Sequence, residues 1–65
     1  MPARPSYHRP RRWSSWVRVD GGCWLCVGTR HLTYELAYSG GRAWLRINGI
    51  PVGPVQVLPD GEQPA

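Results

Sequence analysis

The chain has 65 residues, of which 42% are hydrophobic and 18% charged, so it has room for one domain with a thin core. Eight glycines and seven prolines argue against a helical bundle, and no apolar run approaches the roughly 18 residues that a membrane-spanning helix needs. Eight arginines, no lysine and four acidic residues leave a formal charge of +4. Residues 1–5 lack the apolar segment of a secretory signal, so we expect a cytoplasmic protein with no membrane partner.

Basic charge is concentrated near the N-terminus. Residues 1–12 hold four arginines and three prolines, which predicts an extended or disordered basic arm. Residues 59–65 hold two acidic residues and form a short acidic tail, which leaves 13–58 as a single β domain. Because arginine side chains neutralise phosphates, nucleic acid is the first partner to consider for this arm, and a solubilising arm without a partner is the alternative.

The first predicted element is a β-hairpin. Residues 16–19 and 23–27 are short runs rich in β-branched and aromatic residues, and Asp20-Gly21-Gly22 between them is typical of a turn. A three-residue loop gives the following cross-strand pairs: Val19 with Cys23, Val17 with Leu25, and Arg18 with Trp24.

A second hairpin is predicted downstream. Residues 32–38 and 43–47 both alternate between two faces with a period of two, which is typical of strands. Gly40-Gly41 between them fits a two-residue hairpin loop, because glycine tolerates positive φ. In this register Glu35 lies opposite Arg46, and such cross-strand pairs of opposite charge stabilise a sheet.

Two further turns complete the predicted domain. Asn48-Gly49 is a strong hairpin signal and leads into a short strand at 50–52, and Gly53-Pro54 precedes a last strand at 55–58. The fold is therefore predicted to be all-β: a five-stranded antiparallel meander curled into a small barrel of SH3-like size. Its apolar face comprises Val17, Val19, Cys23, Leu25, Val27, Leu32, Tyr34, Leu36, Tyr38, Ala43, Leu45, Ile47, Ile50, Val52, Val55 and Val57.

The opposite face of the predicted sheet collects tryptophan and arginine. Indole and guanidinium planes stack on bases, and the same residue types anchor protein interfaces. Two alternatives involve no ligand: the arm, with Tyr7 and Trp13, folds over this face, or a symmetric homodimer buries it. The predicted outer residues are Trp16, Arg18, Trp24, Cys26, Thr33, Glu35, Ala37, Trp44 and Arg46.

The cysteines raise the question of a metal. Cys23-x2-Cys26-x4-His31 resembles the first three ligands of the zinc knuckle, Cys-x2-Cys-x4-His-x4-Cys, over nine residues. The position of the fourth ligand is Leu36, and residues 23 and 26 of a strand point to opposite faces, so His8 is the only other histidine that could complete a site. We therefore expect no metal or other cofactor, with Cys23 a buried thiol and Cys26 a half-exposed one.

The acidic side chains lie in a turn, in the tail or opposite an arginine, so no acid–base pair is predicted and we expect no enzyme. The favoured function is a non-catalytic nucleic-acid-binding module, such as a regulator carried by a phage or plasmid. The alternative is a protein-interaction module, a small inhibitor or adaptor that docks its tryptophan face on an acidic surface of a host protein. The predicted binding residues are Arg4, Arg9, Arg11 and Arg12 in the arm, and Trp16, Arg18, Trp24, Trp44 and Arg46 on the sheet.

Overall fold

A computed structural model describes residues 11–50 and 53–65, which form a three-stranded antiparallel sheet with one helix packed on it. The strand order is Trp24–His31 (β2), Trp13–Arg18 (β1) and Val55–Pro59 (β3), so the helix carries the chain from one edge of the sheet to the other. The predicted five-stranded closed barrel is wrong, because the fold is a small mixed α/β structure with an open sheet. The elements in chain order are β1 (Trp13–Arg18), β2 (Trp24–His31), α1 (Tyr34–Ile47) and β3 (Val55–Pro59).

The β1–β2 hairpin has the predicted register. Residues 17 and 18 pair with residues 25 and 24. Asp20 and Gly21 take φ values of 52° and 68°, and a 2.9 Å hydrogen bond from the Gly22 N–H to the Val19 carbonyl closes the turn. Positive φ at two successive residues matches the right-handed twist of the flanking strands, which is why an Asp-Gly pair specifies this hairpin.

The two strands and glycine turn predicted after β2 are instead one helix, α1. Its buried residues are Ala37, Gly41 and Leu45. A spacing of four residues brings side chains onto one side of a helix, and this side lies against the sheet. The prediction of strands at 32–38 and 43–47 is therefore wrong.

The ends of α1 carry suitable polar groups. Thr33 is the N-cap, and its hydroxyl oxygen accepts a 3.1 Å hydrogen bond from the Leu36 N–H. Glu35 lies in the first turn and Arg46 in the last, where each charge is favourable to the helix dipole. The predicted cross-strand pairing of Glu35 with Arg46 is wrong, because the two residues lie at opposite ends of one helix.

The C-terminus of α1 is closed by a Schellman motif. The Gly49 N–H donates to the Arg46 carbonyl at 3.1 Å, and the Ile50 N–H donates to the Leu45 carbonyl at 2.8 Å. Gly49 has a φ of 78°. Asn48-Gly49 therefore ends a helix and does not form the predicted hairpin, although both structures use the same positive φ at glycine.

The core lies between α1 and the sheet, and its fully enclosed part is small. The buried apolar residues within the described part of the chain are Val17, Ala37, Leu45 and Val57. Gly41 allows α1 to approach β1 and β3 closely. A Cβ at this position would lie 2.5 Å from Ser15 Oγ and 2.7 Å from Val55 Cγ1.

Much of the predicted apolar face is exposed. Alternate residues share a face in a strand but spread around a helix, so the side chains of 32–38 and 43–47 cannot all face one core. Ala37, predicted on the outer face, is fully buried, while Val52 lies outside the described residues. The exposed members of the predicted face are Cys23, Leu25, Leu32, Tyr34, Leu36, Tyr38, Ala43 and Ile47.

Asp60, which follows β3, joins segments from three parts of the chain. Its carboxylate accepts hydrogen bonds from the Ser14 hydroxyl and from the Arg30 N–H, the latter at 3.1 and 3.3 Å. Its own N–H donates to the Arg12 carbonyl at 3.0 Å. The first acidic residue of the tail therefore links the three strands at one end of the sheet.

Candidate functional site

Two tryptophans lie on the face of the sheet opposite α1. Trp16 pairs with Cys26, and Arg18 pairs with Trp24. Directly opposed residues of antiparallel strands share a face, and successive residues alternate, so these four point away from Ser15, which faces the helix. Both indoles are half-buried. We refer to Trp16, Arg18, Trp24 and Cys26 as the sheet surface.

C-terminal residues lie beside the two indoles of the sheet surface. Residues 63–65, together with Trp16, Cys23 and Trp24, line an open cavity of about 320 Å³. Pro64 is half-buried, whereas its two neighbours are exposed. The indole nitrogen of Trp16 is buried and has no hydrogen-bond partner among the described residues. The cavity therefore offers a partner side chain apolar contact with the two indoles.

Arg18 has a structural role besides the predicted binding role. Its Nε donates to the Gly22 carbonyl at 2.9 Å, and its Nη2 donates to the Gly21 carbonyl at 3.2 Å. The guanidinium thus holds the β1–β2 turn, and only its remaining N–H groups are available to a ligand.

Trp44 and Arg46 do not belong to the sheet surface. They lie on α1, which packs on the side of the sheet that carries Ser15 and Val55. The prediction that they share a face with Trp16 and Trp24 is wrong, because it assumed that residues 43–47 form a strand.

A second surface runs along the exposed side of α1. Tyr34, Tyr38, Arg42 and Arg46 recur every four residues, which places them one after another along the helix, and all four are exposed. The guanidinium carbon of Arg42 lies 6.0 Å from the centre of the Tyr38 ring, and its Nη1 donates to the phenol oxygen at 3.4 Å. We refer to these four residues as the helix stripe.

An open depression of about 270 Å³ lies on the helix stripe. Tyr38, Ser39, Arg42, Ala43 and Arg46 line it. Two guanidinium groups, a phenol and a serine hydroxyl supply hydrogen-bond donors, and the described lining contains no carboxylate. This combination suits a phosphate group, because guanidinium N–H groups match its oxygens in charge and geometry.

Residues 11–13 lie beside one end of the helix stripe. The Trp13 ring packs edge-on against Tyr34, with ring centres 5.6 Å apart and an interplanar angle of 79°. The exposed arginines at positions 11 and 12 directly precede Trp13, so they adjoin the Tyr34 end of the stripe. Arg4 and Arg9 of the predicted arm lie outside the described residues.

The zinc-knuckle positions are not gathered into a metal site. The His31 ring lies against two glycines, since a Cβ on Gly28 or Gly40 would come within 2.6 or 3.2 Å of it. Both cysteines are free and exposed, so the predicted burial of Cys23 is wrong. In the described part of the chain, no three His, Cys, Asp or Glu side chains come together, and His8 lies outside it.

No helix among residues 11–50 and 53–65 is long and apolar enough to cross a membrane. The α1 helix has 14 residues, and its buried side faces the sheet.

The sequence prediction included Arg46 but not the other three members of the helix stripe. The signal for them is the four-residue spacing from Tyr34 to Arg46, which a strand also accommodates because four is an even number. Comparison with known protein families, with curated proteins and with solved structures finds no match to the chain.

Proposed function

We propose that this protein is a non-catalytic, cytoplasmic nucleic-acid-binding module. The observation that carries the proposal is the helix stripe, an exposed run of two tyrosines and two arginines on a chain with a net charge of +4. Arginines bind backbone phosphates, and aromatic faces stack on bases at about 1–3 kcal/mol per base. Arg11 and Arg12 add positive charge at the Tyr34 end of the stripe.

The stripe favours single-stranded nucleic acid. Tyr34 and Tyr38 are separated by about 6 Å along the helix axis, and Arg42 and Arg46 by the same distance. A tyrosine ring on a helix surface stacks on a base only if that base has left a duplex, so the aromatic half of the stripe needs unpaired bases. The arginine half supplies phosphate contacts that do not depend on base sequence.

Binding is tested with a fluorescent single-stranded oligonucleotide of mixed sequence, titrated at several salt concentrations. Each phosphate contact contributes about −0.7 to the slope of log K against log salt for a single strand. We expect Arg46→Gln to weaken binding and to make this slope shallower by about that amount. Arg30→Gln is the matched control: it removes the same charge from an exposed site on β2 and should leave the slope closer to that of the unmodified protein.

The tyrosines are tested separately from the charges. Tyr38→Ala should lower affinity by about 5- to 150-fold with little change in the salt slope, because stacking releases no counterions. Binding that does not depend on salt, or equal losses from Arg46→Gln and Arg30→Gln, would reject the helix stripe as the nucleic-acid site. Tighter binding of a duplex than of the single strand would reject the stacking role of the tyrosines.

A protein-interaction module remains a second candidate function, and the cavity on the sheet surface favours it. Two indoles beside a cavity of about 320 Å³ provide apolar contact for a partner side chain. In this case Trp24→Ala should abolish partner binding and Arg46→Gln should not. The two variants therefore separate the two functions.

A further inference from the structure

One edge of the sheet is long and lacks a neighbouring strand among the described residues, although two register shifts against β1 and a positive φ at Arg30 make it irregular. β2 has eight residues and hydrogen bonds to β1 on one side, and no described residue pairs with its other side. Residues 24–29 contain neither a charged residue nor a proline. Monomeric proteins commonly use such residues to protect an exposed strand edge, so the outer side of β2 is suited to pairing with another strand.

An apolar side of α1 lies next to this edge. The His31 ring at the end of β2 lies against Gly40 of the helix. Leu36 is one turn before Gly40 and Ile47 two turns after it, so both lie on the same side of the helix. Leu36 is 52% exposed and Ile47 82% exposed, and Leu25 on β2 itself is 47% exposed. We refer to β2 together with these three side chains as the edge surface.

We propose that the edge surface binds a second copy of this chain. The two β2 strands would pair antiparallel about a two-fold axis, giving a continuous six-stranded sheet with both helices on the same face. Leu36 of one helix would then face Ile47 of the other across the axis. The core contains few buried apolar residues, and small domains bury too little apolar surface alone. Dimer formation would bury additional apolar surface and so stabilise a chain of this size.

Charge is compatible with antiparallel pairing. In a register centred on Val27, Arg30 of one strand lies opposite Trp24 of the other, so the two arginines are kept apart and each can contact an indole. The helix stripe lies on the other side of α1, since Tyr38 and Arg42 are displaced from Leu36 around the helix. The proposed dimer therefore leaves both stripes exposed, and it does not depend on the proposed function.

The size of the edge suits a dimer. Eight residues of strand span about 27 Å, and a helix stacked on a sheet is about 20 Å thick, so the edge measures about 540 Å² in projection. The surface of packed side chains is larger than this flat projection. Stable interfaces bury about 600 Å² or more of each partner's surface, and an edge of this size can supply that area.

The full chain tests the proposal by sedimentation equilibrium together with two matched variants. Leu36→Lys and Tyr38→Lys each place a lysine at a half-exposed apolar position of α1, but on different sides of the helix. We expect the unmodified protein and Tyr38→Lys to be dimers. Leu36→Lys should raise the dissociation constant by about 100-fold or more, because each dimer would bury two unpaired charges.

Three results would overturn the proposal. The first is a monomeric unmodified protein up to about 1 mM, a concentration at which even weak association is detected. The second is a dimer that survives Leu36→Lys, and the third is a dimer that Tyr38→Lys disrupts equally. Circular dichroism checks that each variant is folded. If Leu36→Lys is not folded, Ile47→Lys at the exposed last turn of α1 replaces it and is judged by the same outcomes.

Discussion

Replacement of Gly41 with alanine is expected to destabilise the protein even though alanine is the better helix former. By helix propensity alone, the substitution should stabilise α1 by about 1 kcal/mol. The new Cβ would, however, lie 2.5 Å from Ser15 Oγ and 2.7 Å from Val55 Cγ1. Ser15 is fully buried in the central strand and Val55 is β-branched, so neither side chain can move away freely.

The expected size follows from these two opposed effects. Added volume in a packed interior costs about 1–3 kcal/mol, and two contacts this short favour the upper part of that range. After the propensity gain is subtracted, Gly41→Ala should lower the free energy of unfolding by about 1–2 kcal/mol. For a chain of this size, that corresponds to a fall in Tm of about 4–16 °C.

Gly40→Ala is the matched control, because it makes the same change one residue earlier in the same helix. Its Cβ would lie 3.2 Å from Cε1 and 3.5 Å from Nε2 of the His31 ring, a longer distance than either contact at Gly41. We expect a change between zero and about 1 kcal/mol of stabilisation. Urea unfolding of both variants at one protein concentration, followed by circular dichroism, gives the comparison. A Gly41→Ala variant as stable as the unmodified protein, or no more perturbed than Gly40→Ala, would refute the close-packing argument.

Substitutions at three further positions test the ends of the elements by the same unfolding assay. Gly49→Ala should cost about 1–2 kcal/mol, because alanine disfavours the φ of 78° that ends α1, and an unchanged midpoint would contradict this role. Thr33→Ala should cost about 1 kcal/mol through loss of the N-cap, while Thr33→Ser should lose little. Asp60→Ala should cost about 1–3 kcal/mol, because it leaves the buried Ser14 hydroxyl without its acceptor. Asp60→Asn keeps an acceptor oxygen and should be less harmful; equal losses would assign the effect to charge.

The β1–β2 hairpin could be predicted because its signals are local. Asp20-Gly21 takes the positive φ values that the turn requires, and the strands on either side are short and rich in β-branched and aromatic residues. These interactions lie within about ten residues, so the register of Arg18 with Trp24 follows from the turn.

The helix could not be predicted in the same way, because the spacing of its buried residues fits both a helix and a strand. Ala37, Gly41 and Leu45 are spaced by four, which fits one side of a helix and also one face of a strand. Gly40-Gly41 indicated a turn, yet neither glycine has a positive φ in the structure. Gly41 matters for its small size against β1 and β3, and that contact exists only once the helix has docked on the sheet.

The same difference between local and tertiary interactions applies to the candidate sites. The sequence alone determined the excess of arginine, the supply of aromatic side chains, and the placement of Trp16 beside Trp24 through the first hairpin. Tertiary structure decided that Trp44 and Arg46 leave that face, and that Arg46 continues a stripe from Tyr34. The physical reason is that a hairpin turn is chosen by the conformations of its own residues. The choice between strand and helix over 34–47 depends instead on which side chains find a distant surface to pack against.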